Sequence, residues 1–174
     1  ELNIRNFAVV ESIRIHLEPG LNAFTGETGA GKSILVDALG LLLGERGSAS
    51  LVRKGASGCQ VVGTFEIGSN KSARSYLKSL SLLESGEDLL ILRREIDVQG
   101  KSKSYVNDRP VPVSTLAVLG GFLVDVHGQH DQQNLFKTGG HRALLDSYAA
   151  CGDLAEEVSA LYRAWKEAVA EKES

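Results

Sequence analysis

Hydrophobic and polar positions alternate along the first residues in the manner of strands. Leu2 and Ile4 fit one run, and Ile13, Ile15 and Leu17 fit a second against Ser12, Arg14, His16 and Glu18. Pro19-Gly20 marks a turn, and Leu21 to Thr25 reads as a short strand. Residues 34–43 are apolar at almost every position, which predicts a helix buried nearly all round, stopped by Gly44. A Gly/Ser-rich loop over 45–58 precedes a strand from Val61 to Ile67 and a helix over 71–83, with Ala73, Leu77, Leu80 and Leu83 on one side. Leu89 to Ile96 and Ser104 to Asn107 read as strands joined by the polar turn 99–103. A turn at Asn107 to Pro110 leads to a short helix capped by Ser114 and running through Leu119. Phe122 to Val126 reads as a compact buried strand.

From about Gly140 the pattern changes. Leu154, Val158, Leu161, Trp165 and Ala168 recur at the a/d spacing of a coiled coil, over fewer heptads than a firm coiled-coil assignment asks for. An amphipathic helix packed on the domain and the root of a coiled-coil arm are both open on this pattern. The organisation expected is a lobe over 1–139 and a helical segment over 140–174.

Composition narrows the class. With 174 residues, 43% hydrophobic and 24% charged, the chain can bury a core, so disorder is excluded as its main state. No apolar run approaches the ~20 residues that a membrane-spanning helix needs. A net charge of −3 argues against a generally basic nucleic-acid-binding surface, although Arg93, Arg94, Lys101 and Lys103 could form a local basic strip along a hairpin. Cys59 and Cys151 make neither a disulfide framework nor a CxxC metal motif, and read as reduced thiols. No secretory signal peptide opens the sequence, no Met begins it, and a helical pattern continues to its last residues, so a part of a longer polypeptide is expected.

The chemistry concentrates at Gly26-Glu27-Thr28-Gly29-Ala30-Gly31-Lys32-Ser33, which fits G-x-x-x-x-G-K-[ST] at every fixed position. Glycines allow successive backbone N–H groups to turn inward around a β-phosphate. Lys32 would supply a mobile charge for the β- and γ-phosphates and Ser33 a hydroxyl for Mg²⁺. The helix opening there aims its positive end at the anion. A nucleoside triphosphate with Mg²⁺ is the ligand this pattern implies. Guanine reading has no support, because Asn70-Lys71-Ser72-Ala73 lacks the aspartate of an Asn-Lys-x-Asp motif. Asp125, ending an apolar run, is a candidate Mg²⁺ ligand or a residue at the edge of the site, with Val126 where a water-polarising glutamate would stand. His127, His130 and Asp131 could ligate zinc, but no third cluster supports that.

The phosphate loop with Ile34 to Leu39 after it, and the opening Ile4-Arg5-Asn6-Phe7-Ala8-Val9-Val10, resemble the head of the structural-maintenance-of-chromosomes (SMC) class of ATP-binding-cassette ATPases. The stretch from Phe122 to Phe136, Arg93-Arg94-Glu95, and Tyr105 to Val111 are similar to a bacterial DNA-repair branch of that class. The resemblance covers essentially the whole chain. It implies an α/β P-loop NTPase fold, half of an ABC/SMC-type head with a mixed β-sheet, plus the start of a coiled coil. It implies ATP and Mg²⁺ as cofactors, Gly26 to Ile34 as the binding run, and Gln129 as the glutamine that reaches Mg²⁺ and the attacking water; a solvated loop residue is the alternative for Gln129. Arg53 sits where related heads place an arginine near the phosphates, though a surface arginine is also open.

The same resemblance implies several partners: the C-terminal half of the same head, a second head in a homodimer, and DNA through the whole protein, with no membrane. It implies a bacterial cytoplasmic, nucleoid-associated setting and a role in recombinational repair of DNA double-strand breaks. The family's signature motif and Asp-Glu strand end are missing from these residues, so binding of ATP without efficient hydrolysis is expected of this chain alone. A nucleotide-gated structural module and a small-molecule P-loop phosphotransferase are the alternatives.

Overall fold

The computed structural model describes residues 1–25, 31–84, 86–125, 145–146, 148–149 and 151–173. They fall into two compact units, Glu1–Asp125 and Val126–Ser174, and each is described by itself.

The first unit is built on a six-stranded sheet of order β2-β1-β3-β4-β5-β6. Its strands are β1 (Leu2–Phe7), β2 (Val10–Ile15), β3 (Gly58–Glu66), β4 (Leu89–Asp97), β5 (Ser102–Val106) and β6 (Arg109–Pro110). Every pairing is antiparallel, so the mixed sheet expected from the resemblance is, among the described residues, an antiparallel one. Tight hairpins join β1 to β2, β4 to β5 and β5 to β6, and such short links permit only antiparallel pairing. Asn107 and Asp108 both take positive φ, at 46° and 60°, the conformation of a two-residue type I′ turn. The Asn107 side chain secures that turn, accepting from Ile91 N at 2.9 Å and donating to Leu82 O at 3.2 Å.

Side-chain alternation gives the sheet one buried face. Ile4, Val61, Leu90, Leu92, Ile96 and Val106 lie there with at most 1% exposure, and Phe7 is buried as well, beyond Asn6, whose φ of 51° interrupts the alternation. Helix α1 (Lys32–Leu42) packs on this face through Ile34, Ala38, Leu41 and Leu42. Gly63 of β3 allows the approach, since a Cβ there would stand 2.5 Å from Leu42 Cδ2. Gly44 ends the helix at φ +101° and leaves room for the Ala117 backbone, 2.6 Å from where its Cβ would be. Helices α2 (Lys71–Ser79) and α3 (Val113–Leu123) complete the core with Ala73, Leu77, Leu116 and Leu119. Tyr76 and Phe122 meet edge to face, with ring centroids 6.0 Å apart.

Several sequence expectations change. Leu21 to Thr25 forms no strand, and Leu21 is 98% exposed; the segment hangs on a side-chain turn in which Asn22 Nδ2 donates to Glu18 O at 2.7 Å. Helix α1 is not buried all round, because its outer face carries Val36 at 53% exposure. The 71–83 helix stops at Ser79; Leu80 is its C-cap and Ser81 turns at φ 56°. The β4–β5 turn tightens to residues 98–101, because Asp97 Oδ1 accepts from both Gln99 N and Lys101 N. Ser114 does not cap α3; Pro112 precedes its first turn, in keeping with proline's preset φ. The helix then continues through Phe122 and Leu123, so the expected strand there is replaced by a helical end with an extended Val124.

In the second unit, α4 (Gly152–Glu173) is one 22-residue helix. Its apolar seam faces outward, with Leu154, Leu161 and Trp165 each more than 60% exposed. The domain boundary expected at 139/140 lies outside the described residues, as do Gln129, His127, His130 and Asp131.

Candidate nucleotide site

The phosphate-loop residues Gly26, Glu27, Thr28, Gly29 and Ala30 lie outside the described residues, and description resumes at Gly31. What is visible is the helix end that the loop feeds. Gly31 stands at the N-cap of α1, makes no side-chain cap, and no acidic residue follows in the first turn. The initial N–H groups of any helix need acceptors from elsewhere. Among the described residues no side chain caps this end and no acid lies in its first turn, where the helix's partial positive charge is concentrated. Lys32 is the first helical residue, its side chain outside the described residues. Ser33 is exposed on the first turn, while Ile34 turns into the core at 9% exposure. Residue spacing thus divides this turn into one wet, polar position and one buried anchor. That arrangement fits an oxyanion with a hydroxyl-ligated cation beside it.

Arg53 is placed by backbone. Its N–H donates to Asn6 O at 2.8 Å, and the neighbouring Val52 bridges Phe7. Its guanidinium is part-exposed and contacts Glu11 Oε2 at 3.4 Å. The structure therefore docks Arg53 at the far end of the β1–β2 hairpin, in a surface ion pair. Asp125 is exposed, two residues beyond the end of α3. Among the described residues there is no metal-ligating cluster, and no helix is long and apolar enough to cross a membrane.

The basic strip does not form as one strip. Strand periodicity sends the adjacent Arg93 and Arg94 to opposite faces. Arg93 lies on the outer face, paired with Glu95 Oε1 at 2.9 Å and Asp108 Oδ1 at 3.0 Å, its Cζ 4.0 Å from the centroid of the Tyr105 ring. Arg94 is buried, at 3% exposure. Cys59 is also buried in the sheet, and desolvation pushes its thiol pKa up, which disfavours a nucleophilic role. Both cysteines are free.

Two features escaped sequence reasoning. One is a groove of about 1240 Å³ between the sheet's edge and α1, walled by Phe24, Leu35, Val36, Leu39, Phe65 and Leu123. An all-apolar helix was a signal of burial, but it did not say that one face would line an open groove. The other is Asn70, whose Oδ1 caps α2 from Ala73 N at 3.0 Å while its Nδ2 holds Phe122 O of α3 at 2.7 Å. Its position just before a predicted helix was the available clue.

The P-loop sequence, the open helix end and the α/β layering define the class, and the family model described as an AAA domain matches residues 1–173. The chain belongs to this AAA-domain family. Its relatives include the DNA repair protein RecN of Vibrio cholerae serotype O1, 45% identical over 96% of this chain and 30% of that protein. RecN of Bacillus subtilis strain 168 is 40% identical over 86% of this chain and 26% of its own length. The chain thus spans about 30% or less of the length of these relatives. The Smc head domain of Pyrococcus furiosus, solved with an extended coiled coil and bound to the C-terminal domain of ScpA, superimposes with a TM-score of 0.63 at 20% identity. That match covers 90% of this chain and 42% of the other. A chain from a study of ATP-driven dimerization and DNA-stimulated activation of SMC ATPases gives 0.59 at 21% identity, over 83% and 95%. The fold is therefore that of part of an SMC head.

Proposed function

We propose that this chain is the ATP-binding lobe of a RecN-like ATPase head that acts in recombinational repair of DNA double-strand breaks. The observation that carries this reading is the N-terminus of α1, without a side-chain cap or first-turn acid among the described residues, which opens on the Lys32-Ser33 end of a complete G-x-x-x-x-G-K-S run. Gly26 to Ile34 bind the triphosphate, with Lys32 on the β- and γ-phosphates and Ser33 on Mg²⁺. Gln129 completes the Mg²⁺ and water contacts, and Arg53, on exchanging Glu11 for phosphate, offsets charge in phosphoryl transfer. RecN relatives named as DNA repair proteins support the repair role, and the SMC-head fold supports ATP-driven engagement of two heads.

The outward groove beside α1 supports docking of the C-terminal half of the same head, whose apolar surface would cover Val36 and Leu39. Residues 1–139 form the lobe, and 140–174 the root of an arm whose exposed seam on α4 awaits a second helix. Heads engage as a homodimer when ATP binds and separate after hydrolysis, a population shift driven by contacts made only in the closed state. The lobe alone binds ATP with little turnover, because the water-activating carboxylate belongs to the other half of the head. DNA is contacted through the whole protein, in the bacterial cytoplasm at the nucleoid.

Calorimetry with MgATP tests the site. Lys32→Ala is expected to weaken binding by about 100-fold or more while circular dichroism stays unchanged. Unchanged affinity in that folded variant sinks the proposal.

A further inference from the structure

Arg94 is a buried cation with no counter-ion among the described residues. Among the described residues its side chain makes one long hydrogen bond, Nη1 to Ser104 Oγ at 3.4 Å, and its Nε is buried with no partner. Among the described residues no carboxylate pairs with it. Desolvation lowers its pKa, the sign of a charge held without compensation. A guanidinium offers five donors in a fixed fork, and leaving them unmet indoors is costly.

The side chain lines a pocket of about 560 Å³ with Ser102, Ser104, Pro110, Val111, Pro112 and Val113. No acidic residue lines it. Lys103 and Tyr105 also border the pocket, but strand alternation directs their side chains to the other face, so Arg94 is the cation on the pocket's own face. One wall is open to backbone: β6 pairs only with Tyr105 and Val106, leaving Ser102 and Lys103 at the rim without a β6 partner.

We infer that this pocket takes a carboxylate, the acidic side chain of a protein segment from outside these 174 residues with an apolar residue beside it. The planar fork matches a carboxylate in bidentate fashion. The two serine hydroxyls can meet the remaining lone pairs, and the proline and valine walls accept the apolar neighbour. A nucleic-acid backbone fits less well, since phosphate tracking calls for several cations in a row and on the pocket's own face Arg94 has no cation beside it among the described lining residues. The inference is independent of the nucleotide cradle.

The test uses the chain labelled with ¹⁵N-arginine, the Arg94 Nε–Hε resonance being assigned by its loss in Arg94→Lys. Sodium acetate is titrated against sodium chloride at matched ionic strength, and a short duplex DNA is titrated separately. Acetate is expected to displace the Arg94 resonance saturably, with a Kd of about millimolar order, and chloride to leave it in place. The same response is expected in Lys32→Ala. Ser104→Asp, which puts a carboxylate within reach of Nη1, is expected to shift the resonance in advance and remove the acetate response. It also decides the matter if Arg94→Lys fails to fold, since the shift then assigns the peak. No displacement by acetate, equal displacement by chloride, or displacement by DNA at lower concentration than acetate overturns the inference.

Discussion

Helices α1 and α2 start in opposite ways. Helix α2 begins at Asn70, whose side chain caps Ala73 N at 3.0 Å, and it is amphipathic, burying Ala73 and Leu77 while its charges stay outside. Helix α1 begins at a glycine with no cap, no first-turn acid and an apolar body. In a purely structural helix a glycine start gives up a few tenths of a kcal/mol against a side-chain cap. Helix α1 tolerates it because its body is anchored: Ala38, Leu41 and Leu42 are at most 1% exposed. Stability from the packed end thus leaves the other end free to bind an anion, whereas α2 spends its N-terminus on local structure.

The contrast breaks most severely if the anchor is removed. Leu42→Ala takes away a fully buried side chain that closes on Gly63, and a loss of about 2–5 kcal/mol is expected in chemical denaturation. A loss under about 1 kcal/mol would mean that α1 is not held by its packing and that the account of its open end is wrong.

Asn70→Ala comes next. It removes the α2 cap and frees Phe122 O, which Asn70 Nδ2 holds at 2.7 Å. The expected cost is about 1–2 kcal/mol, with MgATP affinity unchanged once the protein is folded. A drop in affinity would show that α2 and α3 communicate with the nucleotide end, and that the division of labour between the helices is false.

Much of this contrast was readable from sequence, because it rests on local rules. The phosphate-loop run, Gly44 as a stop and the apolar body of α1 are all set within a few residues of themselves. What was not readable depends on the third dimension. The identity of the uncovered face of α1 depends on where the sheet lies, so Val36 looked like core and is exposed. Arg93 and Arg94 looked like one basic strip, yet a period of two sends one to Tyr105 and the other indoors. Phe122 and Leu123 read as strand because a short apolar run has no period of its own; hydrogen bonding from Asn70 to Phe122 O helps hold them in the last turn of α3. For Arg53, expected from the resemblance near the phosphates, the tie to Asn6 and Glu11 comes from a backbone bridge that no motif encodes.

The smallest expected effect sharpens the comparison most. Gly31→Asp would give α1 the kind of start that α2 has. Among the described residues nothing lies within 4 Å of a Cβ built at Gly31, and its φ of −145° is on the side that L-residues occupy, so an L side chain is accommodated there. The new carboxylate would meet the first-turn N–H groups and oppose the helix dipole, a gain of only a few tenths of a kcal/mol in the absence of nucleotide. It would do so by occupying the donors that the phosphate needs and by setting a negative charge against a negative ligand. Thermal unfolding without nucleotide should therefore hold steady or rise slightly, while the stabilisation conferred by MgATP disappears. If the variant is still stabilised by MgATP to the wild-type extent, the open end of α1 is not where the triphosphate sits.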